Sequence, residues 1–441
     1  MVSRSNICIA IGALLAPALT LAAPFTPFEA RGFAMGGAGV ASSEHAAASL
    51  YNPALLAIKS ETTRFSFIAP SIGLRATGND GAVKSVQDFN DNGSIDGFDT
   101  AATNFSNQLD RYLNSQDNAA AFQTSAQNLK TASDQLLRDL NAVNQKAFQL
   151  GAGGTLALAF PRWEYKAAVS VSNETFARIT TDVAQSDVNQ IGTTINNIVD
   201  ATNEIITNNN TNGPKAREVI DSNGNLILGN GDLQSKAHVL GVSVTDIGVS
   251  MAREFNLKDQ AFMVGITPKI QQVTTVATDT SVDADSISLS KNKKSYTGIN
   301  IDVGIAKQFD EGQLQNVRVG LVVRNLIPHT YKTFDVTQDV KMAPQVRVGA
   351  AYTHPFFTVT SDLDLTSNKI VGQGSEASQI WAIGGELNAW SVAKIRAGYR
   401  NDFKAKYGTI TAGLSLFGVQ LSAAYAKDRE ISALLQVGGS F

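Results

Sequence analysis

The closing stretch Ile431-Ser-Ala-Leu-Leu-Gln-Val-Gly-Gly-Ser-Phe441 sets apolar residues against small or polar ones and ends on an aromatic side chain. Successive side chains of a β-strand point to opposite faces, so Ile431, Leu435, Val437 and Phe441 share one face. About ten residues is also the length of a tilted strand that crosses a membrane. The stretch therefore predicts a strand with one face turned to lipid.

Five segments before this one repeat the alternation. Their apolar faces comprise Val317, Val319, Leu321 and Val323; Val346, Val348, Ala350 and Tyr352; Ala393, Ile395, Ala397 and Tyr399; Ile410, Ala412, Leu414 and Leu416; and Val419, Leu421, Ala423 and Tyr425. The opposite faces are too polar and too rich in glycine for the core of a β-sandwich. The tyrosines lie near one end of their strands, as in the aromatic girdle of a membrane barrel. We predict a transmembrane barrel, with a soluble β-sandwich as the alternative.

The same pattern predicts fourteen strands in the whole chain. They cover 64–75, 153–160, 165–181, 236–254, 261–278, 295–309, 316–326, 344–354, 356–366, 378–388, 392–401, 408–416, 418–426 and 431–441. Short and long connections alternate between them, as the periplasmic turns and extracellular loops of bacterial barrels do. The predicted fold is all-β, an antiparallel barrel of about fourteen strands with both chain ends on the periplasmic side.

Composition excludes other classes of protein. Of 441 residues, 43% are hydrophobic and 17% charged, and the formal net charge is −3. No nucleic-acid partner is predicted, because the chain has no excess of basic residues to neutralise phosphates. After the first two dozen residues no apolar run reaches the ~18 residues of a spanning helix, which excludes a polytopic helical membrane protein.

The first residues predict export. Arg4 precedes an apolar stretch from Ile7 to Leu21 and small residues follow, which is typical of a signal peptide over residues 1–22. An uncleaved anchor helix is the alternative. The only cysteine, Cys8, lies in this segment, so the mature chain would have no disulfide and no Cys-ligated zinc. We predict a location in the outer membrane of a Gram-negative bacterium.

Residues 23–62 form a segment rich in glycine and alanine that contains Gly36, Gly37 and the run Asn52-Pro53-Ala54. Here the chain resembles the FadL-like outer-membrane superfamily, and most of all the exported barrel proteins known as conjugal (plasmid) transfer protein TraF. These differ from the thioredoxin-like TraF. The resemblance implies an N-terminal hatch over 23–62 inside a barrel over 63–441. A phosphate-binding loop is the alternative for the glycines, but no Lys-Ser/Thr follows them.

The resemblance also implies a function. One interpretation is a porin-like envelope protein associated with conjugal transfer. The other is a transporter for hydrophobic or amphipathic small molecules such as long-chain fatty acids. Expected partners are outer-membrane lipid, the barrel-assembly machinery, and an amphipathic ligand or a cell-surface partner. No enzyme is predicted, because the four histidines are scattered and no Ser/His/Asp grouping emerges from the spacing.

Charged residues fall on the strand faces opposite the apolar ones, so we expect them in the barrel lumen. They are Arg318, Arg324, Arg347, Lys394, Arg396, Arg400, Asp302, Asp362, Asp364 and Glu386. One interpretation is a ladder of cross-strand ion pairs, to which Glu29 and Glu44 of the hatch contribute. The other is a cationic pocket for an acidic ligand, such as a fatty-acid carboxylate.

One predicted strand breaks its own alternation. Leu240 and Val242 share a face, but the apolar series resumes one residue out of phase at Ile247, across Thr245 and Asp246. A β-bulge at this point would restore the alignment and kink the wall. Because the resembled transporters open sideways at a kinked wall, a lateral port here is a hypothesis.

The first long loop contains a calcium-loop pattern. Oxygen-bearing side chains stand at the ligand positions, with Gly93 at the sixth, and the candidate ligands are Asp88, Asn90, Asn92, Asp96 and Asp99. A bare Asp/Asn/Gly turn is the alternative. Ca²⁺ is the only cofactor that the sequence suggests.

The insertions 76–152 and 182–235 also predict helices. In the first, apolar residues from Phe122 through Ala147 to Leu150 keep the spacing of an amphipathic helix or helical hairpin. In the second, a similar stretch runs from Val188 to Ile206. We expect these helices to pack on each other as an extracellular cap, or to offer a seam to a partner.

Overall fold

The computed structural model describes residues 25, 27–60, 63–78, 81–115, 117–162, 166–208, 213–220, 234–257, 260–281, 292–334, 339–368, 377–390 and 393–441. In these residues, fourteen strands close into one barrel, and two more form a separate small sheet. The strand pairs are antiparallel, and the ring closes where the first strand meets the last. The predicted fold class is confirmed. The signal peptide predicted over residues 1–22 lies outside the described residues.

The strands agree closely with the predicted segments. Those of the barrel are β1 (Ser66–Gly78), β2 (Ala147–Phe160), β3 (Lys166–Asp182), β4 (Lys236–Leu257), β5 (Gln260–Ser281), β6 (Lys293–Gln308), β7 (Val317–Arg324), β10 (Gln345–His354), β11 (Phe357–Asp364), β12 (Ile380–Trp390), β13 (Ala393–Asp402), β14 (Tyr407–Leu416), β15 (Val419–Ala426) and β16 (Glu430–Ser440). The small sheet is β8 (His329–Lys332) with β9 (Asp339–Met342), in a connection predicted as a plain loop.

The outer surface of the barrel is apolar. Side chains of the predicted lipid-facing series stand outward, among them Ile410 (66% exposed), Leu421 (56%) and Tyr425 (56%). An exposed belt of this extent on a closed barrel is a surface that lipid covers. The chain is therefore a membrane-spanning barrel of the outer-membrane type. None of the described helices is long and apolar enough to cross a membrane.

The wall has uneven height. β4 and β5 each contain 22 residues, whereas β7 and β11 contain 8. Since a tilted membrane strand needs about 9–11 residues, β4 and β5 extend beyond the membrane. Their extra length rises at the end that carries the long connections, which we call the cap end. The opposite end, with the short connections, is the turn end.

The hatch fills the lumen with small helical pieces. It contains α1 (Ala30–Ala34), α2 (His45–Tyr51) and a 3₁₀ helix (Pro53–Ala57), and nearly all of their side chains are buried. Glu29 caps α1 by accepting hydrogen bonds from the backbone N–H groups of Arg31 and Gly32. The acid predicted to join the lumen ladder therefore serves as a helix cap.

A bundle of helices forms the cap. It consists of α3 (Ala82–Asp91), α4 (Ser94–Ser115), α5 (Ala119–Val143), α6 (Gln185–Asn208) and α7 (Ala216–Val219). Apolar side chains of α4, α5, α6 and α7, including Phe105, Phe122 and Ile198, share one core. α5 carries the predicted apolar seam, but Ala147 and Leu150, expected to continue it, belong to β2. That strand starts at Ala147 rather than at 153.

The predicted β-bulge in β4 is wrong. β4 pairs with β3 and β5 in constant register through Thr245 and Asp246. The apolar series changes face instead, because Val242 is buried against an apolar cluster inside the cap half, whereas Ile247 faces lipid further along. A register shift occurs in β1, between Ile68 and Ser71. The lateral port that depended on a bulge in β4 therefore has no basis.

Candidate functional site

Asn52 lies at the centre of the hatch and is fully buried. Its Oδ1 accepts a hydrogen bond from the backbone N of Ala54 (3.1 Å), which caps the 3₁₀ helix that Pro53 begins. Its Nδ2 donates to the carbonyl oxygens of Val40 (3.0 Å) and of Ile305 in β6 (3.3 Å). One side chain thus joins two parts of the hatch to the wall.

Glycines of the wall make room for the hatch. A Cβ at Gly304 would stand 1.9 Å from Oδ1 of Asn52, and one at Gly320 would stand 2.5 Å from the carbonyl oxygen of Val40. Other wall glycines whose added Cβ would lie under 3.0 Å from a hatch atom are Gly73, Gly153, Gly265, Gly384, Gly398 and Gly413. The wall and the hatch are therefore complementary in shape around most of the ring. Of the predicted hatch glycines, Gly36 and Gly37 adopt positive φ angles of 78° and 89°, which glycine adopts without strain.

A buried ion-pair network ties the hatch to β12 and β13. Arg31 of α1 donates from Nε to Glu386 (3.0 Å), and Arg396 donates from its own Nε to the same carboxylate (2.6 Å). At the edge of this network, Glu44 accepts from Lys394 (3.1 Å) and lies 3.8 Å from Arg31. One wall carboxylate thus holds two arginines, one of them from the hatch.

Further charges pair around the inner wall. The pairs are Arg347 with Asp364 (2.6 Å), Lys269 with Asp246 (2.9 Å) and Asp302 (3.0 Å), Arg324 with Asp302 (3.7 Å), Arg75 with Glu430 (3.6 Å), and Arg400 with Glu430. The guanidinium carbons of Arg347 and Arg324 also lie 4.2 and 4.9 Å from the ring centroid of Phe25. These cation–π contacts hold Phe25 inside the barrel.

Several charged wall residues bind the hatch backbone directly. Asp362 accepts hydrogen bonds from the N–H groups of Gly39 (2.8 Å) and Val40 (3.0 Å). Arg318 donates to the carbonyl oxygen of Ala41 (3.1 Å). Since Arg347 also donates to a hatch carbonyl, the wall charges satisfy backbone groups that the irregular hatch leaves open.

All ten charged residues predicted for the lumen lie on inner strand faces and have protein partners, although Lys394 is only half-buried. The geometry favours the ion-pair ladder over an open cationic pocket. Sequence reasoning missed Arg31, Arg75, Lys269 and Glu430. The inner-face register that found the others also selects Lys269 and Glu430. No local signal marks Arg31, whose partner lies 355 positions away.

The cap half of the lumen contains an aromatic and aliphatic cluster. Phe28 and Phe33 of the hatch, Phe176 of β3 and Tyr331 of β8 belong to it, and all are at most 5% exposed. The rings of Phe28 and Phe176 lie 6.4 Å apart. The hydroxyl of Tyr331 donates to Gln271 of β5, so the small hairpin contributes to the interior of the barrel.

The calcium-loop geometry predicted over 88–99 is absent. Asp88 and Asn90 lie in α3, Asp96 and Asp99 lie in α4, and only a short turn separates these helices. Asn92, in the turn, donates its amide to Asp139 of α5. In the described part of the chain no cluster of three or more acidic, His or Cys side chains suits a metal. The candidate ligands are separated because the chain is helical on both sides of the turn. Calcium binding itself stays a prediction.

Two carboxylates organise the cap. Burial alone would raise the pKa of Asp139, but hydrogen bonds from Ser94, Gln135 and Asn92 lower it below its ordinary value. Asp187, near the start of α6, is 4% exposed and accepts from the backbone N and the hydroxyl of Ser235. Here too burial acts to raise the pKa, and the hydrogen bonds outweigh it and lower the pKa. Asp187 thereby fastens α6 to the beginning of β4.

A groove runs between α4 and α5 on the surface of the cap, with a volume of about 1040 Å³. Polar side chains line its rims, and small side chains lie between them. The residues are Asp96, Gly97, Thr100, Ala101, Asn104, Gln108, Ala120, Ala121, Thr124, Ser125, Asn128, Thr131, Ala132, Gln135 and Arg138. We call it the amide groove.

A protein family matches this chain over most of its length. The family described as "F plasmid transfer operon, TraF, protein" matches residues 49–364, which is most of the chain. The chain belongs to this TraF family. The matched span runs from the hatch helix α2 to the end of β11, so it includes the Asn-Pro-Ala run, the cap and the longest strands. A comparison with curated proteins gives no match.

Solved structures similar to this TraF-family chain include toluene transporters and a FadL homologue. The toluene transporter TbuX of Ralstonia pickettii shares 12% identity, with 95% of this chain and 99% of that chain covered and a TM-score of 0.48. The toluene transporter TodX of Pseudomonas putida shares 10%, with 95% and 99% covered and a TM-score of 0.48. A FadL homologue of Pseudomonas aeruginosa shares 10%, with 96% and 98% covered and a TM-score of 0.46.

Proposed function

We propose that this TraF-family barrel is an envelope component of conjugal transfer. It holds the helical cap at the cell surface while its lumen stays plugged. The observation that carries the proposal is the fit between hatch and wall, in which buried ion pairs and shape-matched glycines occupy the interior. Most charged groups that could line an aqueous path are instead paired with one another or hydrogen-bonded to hatch backbone.

The cap supports the same role. Five helices stand on one end of the barrel, and their exposed faces carry mostly Asn, Gln, Ser and Thr. Long connections of bacterial barrels face the outside of the cell, whereas short turns face the periplasm. The cap is then the part of the protein that a second cell would meet first.

The location agrees with this proposal. The apolar belt needs outer-membrane lipid, and a chain delivered there needs a signal peptide and the barrel-assembly machinery of a Gram-negative envelope. Phe441, the terminal aromatic residue, stacks on Phe65 with ring centroids 5.3 Å apart, so it lies beside the seam where β1 meets β16. N-terminal sequencing of the purified protein should find a mature chain that begins near residue 23. A chain that still begins at Met1 would contradict a cleaved signal peptide.

A mating assay tests the proposed function. In one variant, residues 94–143 are replaced by a short Gly/Ser linker, which removes α4 and α5. In a second, the same residues are replaced by an unrelated helical hairpin of equal length. Heat-modifiable mobility on gels shows whether each barrel still folds. We expect at least a tenfold loss of plasmid transfer in both variants. Wild-type transfer by cells whose barrel is folded but lacks α4 and α5 would overturn the proposal.

A second function needs its own test, because the cap half of the lumen contains a packed cluster of aromatic rings. Phe28, Phe33, Phe176 and Tyr331 would suit a hydrophobic or amphipathic ligand, with the lumen arginines beside its head group. Protein purified in mild detergent can be extracted with organic solvent and analysed by mass spectrometry beside a denatured control. A stoichiometric lipid or fatty acid would favour transport. An empty barrel that also fails to bind added fatty acids would exclude such a ligand.

A further inference from the structure

The amide groove has the chemistry of a binding site rather than that of a helix-packing seam. Thr100, Asn104 and Gln108 follow one another at four-residue spacing on α4, so they form one row. Thr124, Asn128 and Thr131 form the facing row on α5. Small residues, among them Ala101, Ser125 and Ala132, lie between the two rows, so the groove is open and accessible.

The row side chains have free hydrogen-bonding capacity. Asn104 and Asn128 are exposed, and no hydrogen bond joins either side chain to another described residue. Each amide offers two donor hydrogens and an acceptor oxygen. The hydroxyls of Thr124 and Thr131 donate to backbone carbonyls of their own helix, which leaves their oxygens able to accept.

Charge is confined to one end of the groove. Asp96 and Arg138 are the charged residues of the lining, whereas its remaining length is neutral. An anionic ligand such as a phosphate chain or nucleic acid would find only Arg138 to neutralise it. An apolar peptide helix would place its side chains against unsatisfied amides, which costs binding energy. A neutral ligand with many hydroxyl groups avoids both penalties.

We propose that the amide groove binds neutral oligosaccharide chains of a cell surface. The proposal rests on the proposed role in cell contact and names the chemical class of the partner. Sugar hydroxyls both donate and accept, so they can pair with amides and hydroxyls along the two rows. No aromatic ring lies in the groove lining, so recognition depends on hydrogen bonds alone. Binding by one cap is therefore weak, and many copies on two touching cells would act together.

The test uses the full-length protein in detergent and an array of neutral bacterial O-polysaccharide repeat units, with sialylated and phosphorylated glycans as charged comparisons. Saturation-transfer NMR then measures the affinity of each variant for the neutral glycan that binds best on the array. The groove variant is Asn104→Ala with Asn128→Ala. The control variant is Asn107→Ala with Gln127→Ala, on exposed positions of the same helices outside the groove.

We expect neutral glycans to bind, with affinity falling at least fivefold in the groove variant and staying unchanged in the control. Binding of charged glycans only, equal loss in both variants, or no glycan binding by folded protein would overturn the inference. The inference would also be overturned if a helical peptide binds the wild-type protein and the groove variant no longer binds it. If transfer still depends on the cap while no glycan binds, the proposed function stands and this inference falls. If neutral glycans bind in the groove but transfer ignores the cap, the binding chemistry stands and the proposed function falls.

Discussion

At the scale of single residues, the interior is stabilised by groups that satisfy buried partners. If such a group is removed, its partner stays buried without a counter-charge or hydrogen bond, and no water can replace it. Glu386 is the clearest case, because one carboxylate satisfies Arg31 of the hatch and Arg396 of the wall, and its side chain is 3% exposed. Asn52 has the same role through hydrogen bonds, since it satisfies backbone groups of the hatch and of β6. Removing such a residue lowers stability mainly because its buried partner is left unpaired, and less because the attraction between the two is lost.

Glu386→Gln should destabilise the folded protein by about 3–5 kcal/mol, because two buried arginines lose their counter-charge. Unfolding in urea, followed by gel mobility, measures the difference. The matched control is Glu44→Gln, whose side chain is 43% exposed and whose loss should cost about 1 kcal/mol or less. Equal effects of the two substitutions would show that the Glu386 pairs contribute no more than an exposed pair.

The lowered pKa of Asp187 predicts that the attachment of α6 becomes less stable in acid. Its folded pKa lies below the ordinary value of 3.8, so the stabilisation is complete above that value and is lost as the pH falls through the lowered pKa. Hydrogen exchange in α6 should therefore rise below about pH 4. Asp187→Asn should weaken the attachment by about 2 kcal/mol at pH 7 and make it insensitive to acid. Asp200→Asn, on an exposed face of the same helix, is the control and should change neither quantity.

At the scale of elements, the hatch and the wall fit because the wall omits side chains where the hatch approaches. Gly304→Ala should push on Asn52, since the new Cβ would stand 1.9 Å from its Oδ1. We expect a loss of about 1–3 kcal/mol and a hatch more open to added trypsin. Gly385→Ala is the control, because the nearest atom to its Cβ is 3.6 Å away. An unchanged hatch in the Gly304 variant would contradict the seating described above.

Prediction from the sequence worked best for the strands. Alternation located all fourteen, because lipid on one side and polar groups on the other impose a strict period of two. It failed where that contrast is missing. At the start of β2, the apolar spacing of Ala147 and Leu150 predicts helix where the chain is strand. Over 88–99, the Asp and Asn residues match a calcium loop and so conceal the end of α3 and the start of α4. The β8–β9 hairpin was too short to stand out.

The site was predictable only in part, for a related reason. Register assigned the lumen charges to the inner wall, but it could not say which of them meet. The wall partners of Arg31 and Asn52 lie hundreds of residues away, and the path of the hatch through the barrel decides them. In β4, the change of apolar face was mistaken for a bulge, since alternation alone does not show that the interior is apolar near Val242.

At the scale of the whole molecule, the barrel is closed, the hatch occupies its interior, and the cap is the proposed functional surface. A transporter of the same architecture would need its hatch to move in each cycle. The two functions therefore differ in whether the hatch must move. A covalent link between hatch and wall distinguishes them without removing any part of the protein.

The pair Glu44 and Lys394 offers such a link, because both side chains are partly exposed and their charged atoms lie 3.1 Å apart. In Glu44→Cys with Lys394→Cys, a short cross-linker with two methanethiosulfonate groups would join the hatch to β13, because each cysteine thiolate forms a disulfide with it and displaces a sulfinate, and reductant reverses both bonds. Cys8, the only native cysteine, lies in the predicted signal peptide. The measurement is plasmid transfer by cells with the cross-linked protein, beside each single variant and a sample treated with reductant. The account predicts transfer within about twofold of the uncross-linked cells. A loss of tenfold or more that reductant reverses would contradict it and show that the hatch must open.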